Sequence, residues 1–388
     1  MNNFVYDIPT KVYFGENQLG NLGAELSKYG RKVLLTYGGG SIKKIGLYDK
    51  IVEEIKNAGL ELFELSGIEP NPRVSSVNAG ADICKKENID VLLAVGGGSV
   101  LDCTKYIGAA TYYDGDAWDI LLQKFNVEKC LPIITVLTLS ATGSEMDAGG
   151  VISNPETKDK KGLMFPVMQP KVSFLDPSNT FTNSPYQTAC GAADMMSHLI
   201  EVYFNMDQDL TMLDYVMEGL FKTIIRYAPI AMTEPDNYEA RANLMWASSW
   251  AINGFVRGGK QQAWSCHPME HELSAIYDIT HGLGLAILTP RWMTYTLNEQ
   301  TASKFYQFGV NVFGIDRTLP QMEVAKKSIE MLEDFFFKTL GLQSSLSEIG
   351  IDSKNFELMA KKAVTGGTMH GFKPLAEADI VEIFKKCL

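Results

Sequence analysis

Asp90-Val91-Leu92-Leu93-Ala94-Val95-Gly96-Gly97-Gly98-Ser99 decides the fold. A short apolar run ending in glycines reads as a strand buried on both faces, turning tightly into a helix. The pattern recurs twice. Lys32-Val33-Leu34-Leu35-Thr36-Tyr37 runs into Gly38-Gly39-Gly40-Ser41, and Ile133-Ile134-Thr135-Val136-Leu137 precedes Thr142-Gly143-Ser144-Glu145. Helical spacing fills the intervals, over Leu47 to Ala58 and Val74 to Glu87. Strands alternating with helices predict an α/β domain on a parallel sheet.

The pattern changes after Asp176-Pro177-Ser178-Asn179-Thr180 and Ser184-Pro185, a stretch rich in turn formers. Beyond it the apolar spacing is helical: Ala189 to Tyr203, Leu210 to Tyr227, Tyr238 to Ile252, Leu319 to Leu340. The expected division is an α/β domain over 1–183 and an all-helical domain over 184–388. A chain of 388 residues is long enough for both. With 46% hydrophobic and 21% charged residues it can fill two cores.

A formal net charge of −11 argues against nucleic acid as a partner. The first residues lack the charged-then-apolar pattern of a signal peptide, and no apolar run approaches a membrane span. Cys84, Cys103, Cys130, Cys190, Cys266 and Cys387 show no paired spacing. These features read as a reduced, cytoplasmic enzyme with a small-molecule substrate and no membrane partner.

Glycines between a strand and a helix let backbone N–H groups approach a phosphate, and the helix N-terminus adds partial positive charge. Gly97, Gly98 and Ser99 form one such loop, and Gly38, Gly39, Gly40 and Ser41 a second. A single loop of this kind is as well explained as a tight turn. Two in one α/β domain point to a nucleotide, although the GxGxxG fingerprint is absent. An NAD-selective site places a carboxylate near the end of the relevant strand. Here Gly38–Ser41 offers none, and Lys43 and Lys44 follow. That reads as NADP(H) preferred over NAD(H).

Four of the five histidines fall between 198 and 281. Asp194 and His198, four apart on a helix, point the same way. With His267 and His281 they offer one oxygen and three nitrogens, a set suited to Fe²⁺ or Zn²⁺. His271, four residues after His267, is a candidate proton relay and equally a core histidine. His370 stands alone. Met195, Met196, Trp264, Met269 and Leu283 read as an apolar lining that suits an uncharged substrate.

Together these motifs resemble the iron-containing (group III) alcohol dehydrogenases, nearest to butanol dehydrogenases and NADPH-dependent aldehyde reductases. The resemblance runs from Ile8–Gly15 through Glu69-Pro70-Asn71-Pro72-Arg73, Gly96–Ser99, Ala141–Glu145, and Ala193-Asp194 to His198. It closes at His267–Glu272 and His281–Gly284. It implies a dehydroquinate synthase-like fold whose N-terminal, Rossmann-like but non-classical domain binds the nicotinamide cofactor, and whose helical domain holds the metal. Carried over, Asp194, His198, His267 and His281 are the metal ligands. Gly97, Gly98 and Ser99 cradle the pyrophosphate. Asn71, Asp102, Thr138, Thr142, Ser144 and Lys160 join Gly38–Ser41 around the cofactor.

The implied activity is reversible reduction of a small aldehyde such as butyraldehyde to a primary alcohol, in a homodimer. The proton could come from His271, the cofactor ribose or water. A glycerol- or diol-type dehydrogenase is the nearest rival. A cyclase of the dehydroquinate synthase type would need a basic cluster near the metal, and a non-catalytic sensor would bind cofactor without turnover.

Overall fold

The computed structural model describes residues 2–206, 211–260, 264–364 and 367–388. Eight strands form: β1 (Lys11–Phe14), β2 (Lys32–Tyr37), β3 (Glu61–Leu65), β4 (Val91–Gly96), β5 (Ile133–Leu137), β6 (Gly149–Asn154), β7 (Asp159–Met164) and β8 (Val172–Leu175). Six of them make one sheet in the order β1-β8-β5-β4-β2-β3, and every pairing in it is parallel. The three apolar runs of the sequence are β2, β4 and β5, side by side at its centre.

Alternation sends successive side chains to opposite faces. Leu34, Leu92 and Ala94 join one core with the Gly98–Ala110 and Val74–Glu87 helices. Val33, Leu35, Val91, Leu93, Ile134 and Val136 join another with the Leu47–Asn57 helix. Burial on both faces is why these strands read as continuous apolar runs.

β6 and β7 form a separate antiparallel hairpin. It is fastened to the Gly98–Ala110 helix. Val151 N donates to Asp102 Oδ2 (2.9 Å), and Tyr106 Oη donates to the carbonyls of Gly150 and Leu163 (3.2 and 3.3 Å). Its far end is tied by Ser153 N to Pro72 O (2.8 Å).

The second unit is built from helices. Pro185–Tyr203 opens with a full capping box: Ser184 and Gln187 satisfy each other's backbone N–H, and Pro185 begins the first turn. Every residue from Thr188 to Tyr203 is buried, so this helix is core on all sides. Thr211–Thr233, Cys266–Tyr277, His281–Thr296 and Ala302–Phe313 follow. The expected helix at Leu210 begins in the description at Thr211, because Leu210 lies outside the described residues, and it runs on through Pro229 to Thr233. The stretch expected as one helix over Leu319 to Leu340 is Gln321–Glu333 followed by a π-helical turn, Asp334–Thr339.

The chain divides into two compact units with more cuts than the expected one between 183 and 184. The sheet unit comprises Asp7–Asn183 and Asp236–Met245, and the helical unit comprises Met1–Tyr6, Ser184–Pro235 and Trp246–Leu388. No helix among the described residues is long and apolar enough to cross a membrane. All six cysteines are unpaired, and five are buried.

Candidate active site

The helical unit gathers the four expected metal ligands. Asp194 and His198 lie one turn apart on the Pro185–Tyr203 helix. His267 lies in the first turn of Cys266–Tyr277, and His281 begins His281–Thr296. Asp194 Oδ1 is 3.5 Å from His198 Nε2, 3.8 Å from His267 Nε2 and 3.7 Å from His281 Nε2. Ligand atoms bound about 2 Å from one tetrahedral ion lie about 3.4 Å apart, so the spacing suits a single ion. Asp194, His267 and His281 bring their ligand atoms within 4.8 Å of one another.

Two of these atoms, Asp194 Oδ1 and His267 Nε2, are buried and have no hydrogen-bond partner, as is His198 Nδ1. Orphaned buried polar atoms are costly unless something satisfies them. A cation among them would do so, and the donor set is one that iron or zinc accepts.

The charges follow from this convergence. Burial opposes ionisation of Asp194, but His198, His267 and His281 outweigh it and hold the carboxyl well below the usual range. Burial drives His198 down to about 3, against the pull of Asp194. His267 is also penalised by burial, yet the Glu201 and Asp194 carboxylates raise it to about 9.

Glu201 and Glu270, which the sequence alone did not single out, brace two of the gathered imidazoles. Glu201 Oε2 pairs with His267 Nδ1 and accepts from His267 N (3.2 Å), while Oε1 accepts from Ser265 N and Cys266 N. One carboxylate thus orients the imidazole and caps the start of the Cys266–Tyr277 helix. Glu270 Oε2 pairs with His281 Nδ1, and Glu270 Oε1 accepts from Ser274 Oγ. With the Nδ1 of His267 and of His281 directed at a carboxylate, Nε2 is the nitrogen each turns toward Asp194. A signal was present: Asp194, His198 and Glu201 stand at i, i+4 and i+7, on one helical face.

His271 lies beside the cluster, its ring centroid 5.8 Å from His281 and 6.4 Å from His267. His370 is exposed. The expected apolar lining is mostly core instead: Met195, Met196, Met269 and Leu283 are 4% exposed or less, and only Trp264 of that group keeps appreciable exposure. Cys266 is buried, which raises its thiol far above the usual range and makes it inert.

In the sheet unit, β4 ends at Gly96 and the helix begins at Gly98. The backbone of Gly97 starts the first turn, its carbonyl accepting from Val100 N (3.0 Å) and Leu101 N (3.2 Å). A Cβ on Gly98 would lie 2.4 Å from Thr142 Oγ1, so glycine is required for Thr142 to pack there. Ser99 is half-buried in the same turn. Thr138, at the end of β5, donates its N–H to Gly96 O (3.0 Å).

Asp102 and Ser144 are occupied internally. Fully buried Lys105 donates to Ser144 Oγ (2.8 Å), Asp147 Oδ1 (2.7 Å) and Gly149 O (2.6 Å). An ammonium only donates, so the Ser144 proton goes to Asp102 Oδ1 (2.6 Å). Ser144 Oγ is thus engaged within the protein, accepting from Lys105 and donating to Asp102. Burial raises Asp102 to about 6. Lys160, on β7, is buried and donates to Asn71 Oδ1 (3.0 Å), so two expected cofactor residues meet. Asn71 adopts a left-handed φ of 51°.

At the second loop Gly40 has φ 96°, and Ser41–Lys44 forms a short helix. Lys43 Nζ stands 5.1 Å over the Tyr37 ring and 4.4 Å over that of Tyr48. Both hydroxyls donate to Glu64 (2.8 and 2.7 Å). The strand leading to the loop carries no acid, but β3 brings this carboxylate close by.

Residues 9–177 match the iron-containing alcohol dehydrogenases, and 188–388 match the C-terminal part of the same family. The chain belongs to the iron-containing alcohol dehydrogenase family. It is similar to the NADH-dependent butanol dehydrogenase A of Clostridium acetobutylicum, 52% identical with both chains fully covered. It is also similar to the NADPH-dependent aldehyde reductase YqhD of Escherichia coli, 36% identical over 97% of this chain and 96% of that one. Among solved structures, an NADH-dependent butanol dehydrogenase A from Thermotoga maritima superposes with a TM-score of 0.95 at 39% identity, covering 100% of this chain and 99% of that one. As a member of this family the chain is an NAD(P)-dependent alcohol dehydrogenase, with a divalent metal and a nicotinamide cofactor.

Proposed function

We propose that this enzyme reversibly reduces short, uncharged aldehydes to primary alcohols, with Asp194, His198, His267 and His281 holding a divalent iron or zinc. The observation that carries the reading is the convergence of orphaned buried atoms: Asp194 Oδ1 and His267 Nε2 lack partners, and three imidazole Nε2 atoms stand 3.5–3.8 Å from that oxygen. A divalent ion held by these four residues would supply Lewis-acid polarisation of the carbonyl, and a bound nicotinamide would supply hydride. Glu201 and Glu270 keep His267 and His281 in the ligating tautomer. His271, its ring 5.8 Å from that of His281, is the side chain beside the cluster that could carry the proton.

In the sheet unit, Gly97, Gly98 and Ser99 would take the pyrophosphate at the helix N-terminus. Thr138 and Thr142 border that turn, and Asn71 with Lys160 forms a second polar group for the cofactor. Asp102 and Ser144 act from behind, by fixing the helix to the β6–β7 hairpin. At Gly38–Ser41 we infer a site open to a 2′-phosphate. Gly39 and Gly40 raise no side chain there, and Lys43 and Lys44 are exposed. Of the relatives named above, the two butanol dehydrogenases are NADH-dependent and the aldehyde reductase is NADPH-dependent, so both cofactors are assayed. The unpaired, mostly buried thiols support a cytoplasmic setting. A homodimer is the commonest closed assembly and is checked by light scattering.

The test is oxidation of NADPH and of NADH by butyraldehyde, with and without chelator, beside elemental analysis. Chelation should abolish turnover and leave cofactor binding intact. Full turnover by metal-free protein would end the reading.

A further inference from the structure

Of the five apolar residues that the sequence groups around the ligands, four are core. Met196 and Met269 are 0% exposed, Met195 1% and Leu283 4%. They support the ligand helices from behind and are closed to a substrate. Trp264 differs. It is only half-buried, and its indole meets two ligand rings edge-on: His267 at 4.8 Å between centroids and 81°, His198 at 5.9 Å and 87°.

A substrate carbonyl directed at the ligand cluster would bring its first carbons up to the imidazoles. The first carbons of the substrate then pass within van der Waals reach of whatever flanks the imidazoles on an accessible side. Trp264 is a large, half-buried apolar side chain that borders two of these imidazoles. A tryptophan is rigid, with two side-chain torsions, and its broad face accepts an aliphatic chain while its bulk refuses a branch.

We propose that Trp264 is a specificity-determining residue, whose indole limits the aldehyde to short unbranched chains. This rests on the metal-dependent aldehyde reduction argued above and names the substrate class of that site.

The experiment compares kcat/KM for butyraldehyde with that for 2-ethylbutanal and benzaldehyde, in wild type, Trp264→Ala and Trp264→Phe, with metal content measured in each. In Trp264→Ala the ratio of bulky to linear substrate should rise on the order of tenfold or more, the scale at which hydrophobic pockets discriminate. Trp264→Phe, which keeps an aromatic edge against the imidazoles, should fall between. A ratio within about twofold of wild type in the metal-loaded variants overturns the proposal. Loss of metal from both variants also overturns it, because the indole would then serve to hold the ligands. Failure of wild type to reduce butyraldehyde at all would instead bring down the underlying reading, so the two failures are distinct.

Discussion

Replacing Glu201 by Gln isolates the support beneath the metal site. The carboxylate is 1% exposed and receives four hydrogen bonds, from Ser265 N, Cys266 N, His267 N and His267 Nδ1. A glutamine keeps the shape but has one acceptor oxygen. If that oxygen turns to His267, the amide NH₂ faces the N–H groups of Ser265 and Cys266, donor against donor. If it turns to the backbone, the NH₂ faces His267 Nδ1–H and favours the wrong tautomer. A buried donor left unsatisfied costs about 1–3 kcal/mol. Loss of an outer-shell partner costs metal affinity about 10–100-fold, or about 1.4–2.8 kcal/mol. Competition against a chromophoric chelator should show that loss in Glu201→Gln, with activity regained at high metal. Wild-type metal affinity in this variant would refute the orienting role.

Three further outcomes follow from the sheet unit. Gly98→Ala places a methyl 2.4 Å from Thr142 Oγ1, so NAD(P)H affinity should fall on the order of tenfold while metal content holds; a companion Thr142→Ala change that removes this oxygen yet restores nothing would fault the contact. Lys105→Met strands Asp102 and Asp147 without their cation and should lower stability by about 3–5 kcal/mol in urea; a loss under about 1 kcal/mol would show that the network is dispensable. Burial pushes Glu25 upward, but hydrogen bonds from Lys11, Lys28 and Tyr13 overcome it and lower its pKa from 4.5 to about 2. A depressed folded value stabilises above the unfolded one and fades as pH falls toward 2. The stability gap between wild type and Glu25→Gln should therefore close between about pH 4.5 and 2, and a gap constant across that window contradicts the pairing.

Central elements were legible because their burial is extreme. β2, β4 and β5 are apolar on both faces, and the glycines that end β2 and β4 mark the turns. β1 and β3 were missed because they lie at the sheet edges, where β1 reads half-exposed and β3 carries Glu61 and Glu64. β8 is four residues long. The β6–β7 hairpin hid behind Asp159-Lys160-Lys161, whose charges suggest a loop, and it holds by backbone contacts to a helix that no local pattern reveals. The convergence of Asp194, His198, His267 and His281 could be anticipated because few residue types bind metals. Glu270 could not be paired from spacing, since it stands three residues after His267 yet supports His281. Glu64 reaches Tyr37 only through the β2–β3 pairing.

The Pro185–Tyr203 helix puts two of the proposed ligands and the carboxylate that pairs with a third on one stripe, counted from a start pinned by Ser184, Pro185 and Gln187. Each added or deleted residue turns everything downstream by about 100°. A one-residue insertion between the cap and Asp194 would swing Asp194, His198 and Glu201 aside together, with no residue altered. The spacing from Ser184 to Asp194 is therefore as much a part of the site as the side chains it aims.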